Sequence, residues 1–242
     1  VSSRPPLSSR TIGSICYSLM NLSTDHPEVR ELVAELTKLI SSAPNLEPLS
    51  NRAIGNALYG MKNFTSDSPE ALALLETLCV QVETSPSLME GVHTANALFG
   101  LKGMDSTHPE VRRILLALVN KMDASCVMTP KEVCMSLHGL VNMNSHHVEV
   151  RRLLEKLTPV LAALPLYSID SVGTSVALYG LRNMHSEHVE VRGLIQAIAD
   201  ISPASISTAG TQVISGFTDA SHMSNSLYGL QSMSGDHREV LA

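Results

Sequence analysis

The phrase Asn56-Ala57-Leu58-Tyr59-Gly60-Met61 decides the fold, because variants of it recur along the whole chain. We take the Leu58 position as the reference position of each copy. It is occupied by Cys16, Leu58, Leu98, Leu137, Leu178 and Leu227. The copies follow one another at a period of about 40 residues, which accommodates two helices and their turns. A period of this length indicates a helical solenoid.

A second phrase, typified by His108-Pro109-Glu110-Val111-Arg112, begins ten residues after each reference position. Its first residues are His26, Ser68, His108, His147, His188 and His237. Apolar residues then continue at helical spacing, as in the set Val111, Ile114, Leu115 and Leu118. The two phrases predict an all-α solenoid of about six helix-turn-helix repeats with right-handed stacked helix pairs.

The repeat boundaries divide the chain into a flexible segment over 1–7 and a single solenoid over 8–242. The predicted units lie near 8–49, 50–89, 90–128, 129–169, 170–218 and 219–242. The longest spacing between copies predicts a surface loop near 206–217. The last unit is incomplete and shows no polar cap, so we expect the natural protein to continue beyond it.

Capping residues and a helical glycine predict how the units begin and pack. The first helices are expected to start after Ser8, Ser50, Thr129, Asp170 and Asp219, with Glu90 as the exception. The second helices are expected to start at capping boxes led by Asp25, Asp67, Thr107 and Asp236. Gly costs about 1 kcal/mol against Ala inside a helix. Its recurrence after the aromatic residue predicts a close approach of neighbouring helices, with the aromatic ring wedged between units.

Composition and motifs argue against several classes of protein. The net charge is −6, and no apolar run reaches the length of a membrane span. We find no phosphate-binding loop, nucleophile elbow or zinc-protease motif, so we expect no enzyme, no cofactor and no small-molecule substrate. The four cysteines lack metal-binding spacing. The recurring histidines should lie about 10 Å apart in stacked units, too far to share a metal ion.

The recurring phrase around Asn56–Met61 and the helix entry Lys131-Glu132-Val133-Cys134-Met135-Ser136-Leu137 resemble the octotricopeptide and heptatricopeptide repeats of organelle proteins. The resemblance implies binding to organellar RNA, often within a ribonucleoprotein. The first ten residues are rich in Ser and Arg and lack acids, which is typical of a transit-peptide remnant or of a linker. We therefore expect a mitochondrial or plastid protein, and otherwise a cytoplasmic one.

Two sets of polar residues are candidates for binding RNA or a partner subunit. Asparagines lie two before or five after the reference position, where their amides could read base edges. They are Asn56, Asn63, Asn96, Asn142, Asn183 and Asn225. Alternatively, these amides satisfy backbone groups at turns. Basic residues could follow a phosphate backbone. They are Lys62, Lys102, Arg182, Arg112, Arg151 and Arg192. Alternatively, these cations form a solvated face paired with Glu.

Two functions therefore remain open. The first is an RNA-binding or ribonucleoprotein-associated repeat protein, and the second is a scaffold that binds a peptide or a subunit of a larger complex. A connected basic surface next to the asparagines would favour RNA. Basic residues that are scattered and paired with Glu would favour the scaffold.

Overall fold

The structure is a computed structural model that describes residues 7–43, 46–123, 126–202, 207–208, 211–212 and 219–241. Within these residues, the first phrase of each unit forms a first helix, and the second phrase of each of the first five units forms a second helix. The first helices are α1 (Ser9–Ser18), α3 (Asn51–Gly60), α5 (Gly91–Gly100), α7 (Pro130–His138), α9 (Ser171–Tyr179) and α11 (Ala220–Gly229). The second helices are α2 (Pro27–Ser41), α4 (Pro69–Thr84), α6 (Pro109–Lys121), α8 (Val148–Ala162) and α10 (Val189–Ile201).

Short elements complete the described chain. Two 3₁₀ helices cover Leu19–Asn21 and Arg238–Val240, and the second of them packs against α10. Strands β1 (Ser207–Thr208) and β2 (Thr211–Gln212) pair antiparallel. The remainder of the predicted loop near 206–217 lies outside the described residues, as does most of the predicted 1–7 segment.

The helices form two layers. Each first helix packs on the first helix of the next unit, and each second helix packs on the next second helix. Between the layers, the reference residues Leu58, Leu98 and Leu137 are buried, as are Val111 and Leu118 of the second layer. Each unit thus buries its apolar faces against its neighbours, which confirms the predicted helical-repeat solenoid.

The helix starts follow the predicted caps in the first layer and differ by one residue in the second. Ser50 Oγ accepts a hydrogen bond from Ala53 N, and the predicted Thr129–Glu132 capping box is present. In the second layer, the prediction was wrong by one position. The residue before each helix is His26, Ser68, His108, His147, His188 or His237. Asp25, Asp67 and Thr107 lie in the preceding turn, because Pro27, Pro69 and Pro109 favour the first helical position. Asp236 also precedes the cap residue, His237, although Arg238 follows there in place of proline.

The recurring glycines let the first helices touch through their backbones. A Cβ atom built on Gly100 would lie 2.0 Å from the carbonyl oxygen of Leu58, and one on Gly180 would lie 2.0 Å from that of Leu137. Gly60, Gly139 and Gly229 make the same contact with Cys16, Leu98 and Leu178. The predicted close approach is therefore confirmed, and its physical basis is backbone packing that leaves no room for a side chain.

The turns between the two helices of each unit are linked from unit to unit by buried hydroxyl groups. Ser66 Oγ accepts a hydrogen bond from Asp105 N at 3.1 Å, and Ser106 Oγ accepts one from Asn144 N at 2.9 Å. Thr24, Ser145 and Ser186 make equivalent contacts with the following unit. These bonds satisfy backbone donors that the turns would otherwise bury. Within the described residues, no helix has the length and apolar character needed to cross a membrane.

Candidate binding face of the first helices

One aromatic or imidazole ring per unit forms a continuous stack along the first helices. This ring ladder consists of Tyr17, Tyr59, Phe99, His138, Tyr179 and Tyr228. Successive ring centroids lie 5.6 to 6.0 Å apart, with interplanar angles of 19 to 28°. The rings are partly exposed, and each inner ring stacks on the rings of both neighbouring units, as expected for rings placed between units. The backbone contact at the glycines brings the rings closer together than the about 8–10 Å that usually separates the axes of packed helices.

Three cations lie over this ladder, each three residues after a ring. Lys62 Nζ lies 5.0 Å from the centroid of the Tyr59 ring, and Lys102 Nζ lies 5.1 Å from that of Phe99. The Arg182 guanidinium lies 5.4 Å from the Tyr179 centroid and 6.0 Å from the Tyr228 centroid. Within the described residues, none of the three cations forms an ion pair with an acid. They form a row of positive charge that lies over the ring faces. Arg182 also donates hydrogen bonds to the Val141 carbonyl at 3.0 Å and to Asn142 Oδ1 at 2.6 Å.

The pKa values on this face show the same excess of positive charge. Burial, and then the nearby charge of Lys62, lowers the pKa of Lys102. Burial also lowers the pKa of His138, and the charges of Lys102 and Arg182 lower it further. The Nδ1 atom of His138 is buried and has no hydrogen-bond partner among the described residues, so a proton there would be poorly solvated. An anion bound between these cations would relieve their mutual repulsion.

The residue two before each reference position lies beside the ring ladder. These residues are Ser14, Asn56, Asn96, Met135, Val176 and Asn225. Each precedes its ring by three residues, which places the two on the same side of the helix. The side chains of Asn56, Asn96 and Asn225 are at least partly exposed and make no hydrogen bond within the described part of the chain. Their amides are therefore available to a ligand.

The asparagines five residues after the reference position form hydrogen bonds to the preceding unit. Asn63 Nδ2 donates a hydrogen bond to the Met20 carbonyl at 3.0 Å, and Asn142 Nδ2 donates to the Lys102 carbonyl at 2.9 Å. Asn183 Nδ2 donates to the Val141 carbonyl at 3.1 Å. Each amide thus bonds a carbonyl that follows the first helix of the preceding unit, and the Val141 carbonyl also accepts a hydrogen bond from Arg182. The predicted stripe is split: Asn56, Asn96 and Asn225 lie on the ring side, whereas Asn63, Asn142 and Asn183 join units.

The arginines of the second phrase are also engaged in the fold. Arg112 Nη1 donates hydrogen bonds to the carbonyls of Ser106 and Thr107, at 2.8 and 2.7 Å. Arg30, Arg151 and Arg192 hold the equivalent turns in the same way. Arg151 also lies 3.7 Å from Glu190, and Arg113 pairs with Glu76 and Glu83. The structure therefore divides the predicted basic residues into turn-holding arginines and the three cations of the ring ladder.

The sequence alone did not reveal that the asparagine, the ring and the cation of a unit lie together on this face. The positions two before, one after and four after the reference residue are spaced by three, and they carry the asparagine, the ring and the cation. The signal that could have found them is the lysine or arginine three residues after the ring in Tyr59–Lys62, Phe99–Lys102 and Tyr179–Arg182. The aromatic residue was interpreted only as a packing residue, so this spacing was not connected with binding.

The lowered pKa of His138 predicts a pH-dependent stability. The unfolded chain takes up this proton near the ordinary value of 6.5, whereas the folded chain resists it. The contribution of neutral His138 to the free energy of unfolding is therefore complete above that value, and it is lost as the pH falls from there toward the lower pKa of the folded chain. The His138→Tyr variant restores the ring found in four other units and lacks the titration. In urea unfolding between about pH 7.5 and 5.5, we expect the native protein to lose stability relative to the variant. A constant difference across this range would contradict the prediction.

We compared the chain with protein-family models, curated proteins and solved structures, and none of them matches it.

Proposed function

We propose that this protein is a non-enzymatic repeat protein that binds single-stranded RNA along the ring ladder. The observation that carries the proposal is the row formed by Lys62, Lys102 and Arg182. These three cations lie over stacked rings and form no ion pair with any acid in the described part of the chain. Positive charge combined with aromatic surface is typical of proteins that bind single strands. The phosphates of the RNA would lie near the cations.

The bases of the RNA would lie beside the rings and not between them. Successive rings already contact one another at 5.6 to 6.0 Å, so bases do not insert between them. Bases would instead contact the row of variable residues that contains Asn56, Asn96, Met135 and Val176. Amide groups can pair with base edges, whereas Met and Val offer only apolar contact. A difference of this kind between units could favour some RNA sequences over others.

The resemblance to octotricopeptide and heptatricopeptide repeats supports the same class of ligand. Together with the Ser- and Arg-rich start of the chain, it also supports the prediction of an organellar location. The net charge of −6 does not oppose RNA binding, because the local field of the row determines the encounter with a phosphate backbone.

The test compares two triple variants that remove the same charge from different surfaces. Lys62→Ala/Lys102→Ala/Arg182→Ala removes the row, and Lys38→Ala/Arg152→Ala/Lys156→Ala removes exposed cations of the second helices. With short randomised RNA at about 50 mM salt, the first variant should lose about tenfold or more in affinity. Its salt slope should fall by about 2, because each lost contact with a single strand contributes about 0.7. The second variant should bind nearly as the native protein does.

Two outcomes would contradict the proposal. One is no measurable RNA binding at low salt by fluorescence anisotropy. The other is an equal loss of affinity in both triple variants, which would indicate nonspecific charge attraction. Absence of binding would favour the alternative function, a scaffold for a peptide or a subunit of a larger complex.

A further inference from the structure

Three side chains from the turns of the fourth and fifth units meet at one point, away from the ring ladder. They are His146 of the fourth unit and Glu187 and His188 of the fifth. His146 Nδ1 lies 3.4 Å from Glu187 Oε1, and His188 Nε2 also lies 3.4 Å from that oxygen. The two ring nitrogens are 3.4 Å apart. The three atoms therefore form an equilateral triangle of two nitrogens and one carboxylate oxygen.

The distances between these three atoms match the distances between ligand atoms of a tetrahedral metal site. Zn²⁺ binds histidine nitrogen and carboxylate oxygen at about 2.0–2.2 Å, so two ligand atoms of a tetrahedral site lie about 3.3–3.6 Å apart. By contrast, hydrogen bonds of this kind are usually about 2.7–3.2 Å long. The separations suit a shared cation better than hydrogen bonds between the side chains.

We propose that His146, Glu187 and His188 bind a divalent transition-metal ion, with Zn²⁺ as the fitting ion, across the junction of two units. Imidazole and carboxylate are ligands that suit Zn²⁺, and three protein ligands leave one position for water. The His146 and Glu187 side chains are 55% and 63% exposed, so an ion can enter from solvent. The metal joins the fourth unit to the fifth and holds their turns together.

Neighbouring residues favour this arrangement before any metal binds. The His185 ring stacks on the His146 ring with centroids 4.3 Å apart and an interplanar angle of 21°. This contact restricts the orientation of the ring that supplies Nδ1. His188 precedes α10 and makes no capping hydrogen bond with its side chain, so its imidazole is available as a ligand.

The repeat explains why the sequence did not reveal this site. The sequence prediction compared histidines at equivalent positions of neighbouring units, such as His147 and His188, and the additional His146 and His185 did not change its conclusion that no metal ion is shared. The close pair is instead His146 and His188, which occupy adjacent positions of the turn in successive units. Among the described residues, this is the one group of three such side chains close enough to share an ion. At the preceding junction, Thr107 stands where a ligand would be needed beside His146 and His147.

The test is a Zn²⁺ titration of the whole chain by isothermal calorimetry. We expect one Zn²⁺ per chain in the native protein, and a loss of about tenfold or more in affinity for His146→Asn, Glu187→Gln and His188→Asn. The matched control is His147→Asn, which changes the corresponding residue one unit earlier and should leave the affinity unchanged. Asn is a good residue at a helix start, so His188→Asn and the control keep their helices.

Cobalt provides a second readout that does not depend on the variants. Co²⁺ at this site should give the intense visible absorption of a four-coordinate ion, and Zn²⁺ should displace it. The proposal is overturned if the native protein binds no Zn²⁺, or if His146→Asn and His188→Asn bind it as tightly as His147→Asn. It is also overturned if the cobalt spectrum is that of a six-coordinate ion. RNA affinity is a separate measurement, since the ring ladder contains none of these residues.

Discussion

The Gly100→Ala variant is expected to lose the packing between the second and third units. Ala is the better helix former by about 1 kcal/mol, so an exposed helix would gain stability from this change. Here, however, the new Cβ would lie 2.0 Å from the Leu58 carbonyl oxygen and 2.3 Å from its carbon. These are backbone atoms, so the two helices must separate. We expect a destabilisation above about 4 kcal/mol, measured by urea unfolding followed by far-UV circular dichroism.

The matched control for this variant is Gly193→Ala in α10. Gly193 is also inside a helix, but a Cβ there would have its nearest neighbour, Thr158 Cγ2, at 4.0 Å. Without a clash, the gain in helix propensity should stabilise the protein by up to about 1 kcal/mol. Opposite signs for the two variants would confirm that backbone contact makes the glycine necessary. Equal stability of Gly100→Ala and Gly193→Ala would show that the first helices can move apart without cost.

The Phe64→Ala variant is expected to cost about 3–5 kcal/mol of stability. Phe64 is among the largest fully buried side chains in the described structure, and it follows the end of α3 in the core. Removing the ring loses its transfer free energy and leaves a cavity that the surrounding helices fill only in part. Urea unfolding monitored by circular dichroism measures the loss. Because Phe64 is not part of the ring ladder, RNA affinity per folded molecule should change little.

The repeat supplies the control for this second variant. The corresponding position in other units is occupied by Met104, Met143, Met184 and Met233. Phe64→Met therefore introduces a side chain that this site accepts elsewhere in the molecule, and it should cost less than about 1.5 kcal/mol. If both variants lose the same stability, the aromatic ring itself is required, and filling the volume is not sufficient.

The two proposed binding sites lie on different parts of the solenoid. RNA is assigned to the partly exposed face of the first helices, where Lys62, Lys102 and Arg182 pair with none of the acids that the structure describes. The metal is assigned to the turns that contain His146, Glu187 and His188. Both sites are built by adjacent units, because no single unit places the required side chains together.

Much of the architecture could be predicted from the sequence, because it depends on neighbours close along the chain. The apolar period of Val111–Leu118 predicts the second helix, and the capping box from Thr129 to Glu132 predicts a helix start. The glycine after Tyr59 predicts close packing, since a helix interior rarely tolerates glycine without a reason. The starts of the second helices were displaced by one residue, because Pro27 and Pro109 take the first helical position and leave Asp25 and Thr107 in the preceding turn.

The roles of the polar residues could not be predicted in the same way. Asn63 and Asn56 are alike in the sequence, yet Asn63 donates to the Met20 carbonyl, whereas Asn56 makes no side-chain hydrogen bond to any residue that the structure describes. Arg112 and Lys102 are both basic, yet one holds a turn and the other lies over a ring. These differences depend on which groups of a neighbouring element come within hydrogen-bond distance, a matter of how the helices are rotated and spaced.

The sequence by itself therefore determined that this protein is a two-layer helical repeat, because periodicity, caps and glycines act locally and recur in every unit. Only the tertiary structure decided which residues are available for binding. Stacking brings together atoms that are about 40 residues apart, satisfying some amides and guanidinium groups while leaving others exposed. The ring ladder and the triangle at His146, Glu187 and His188 exist only because neighbouring units are in contact.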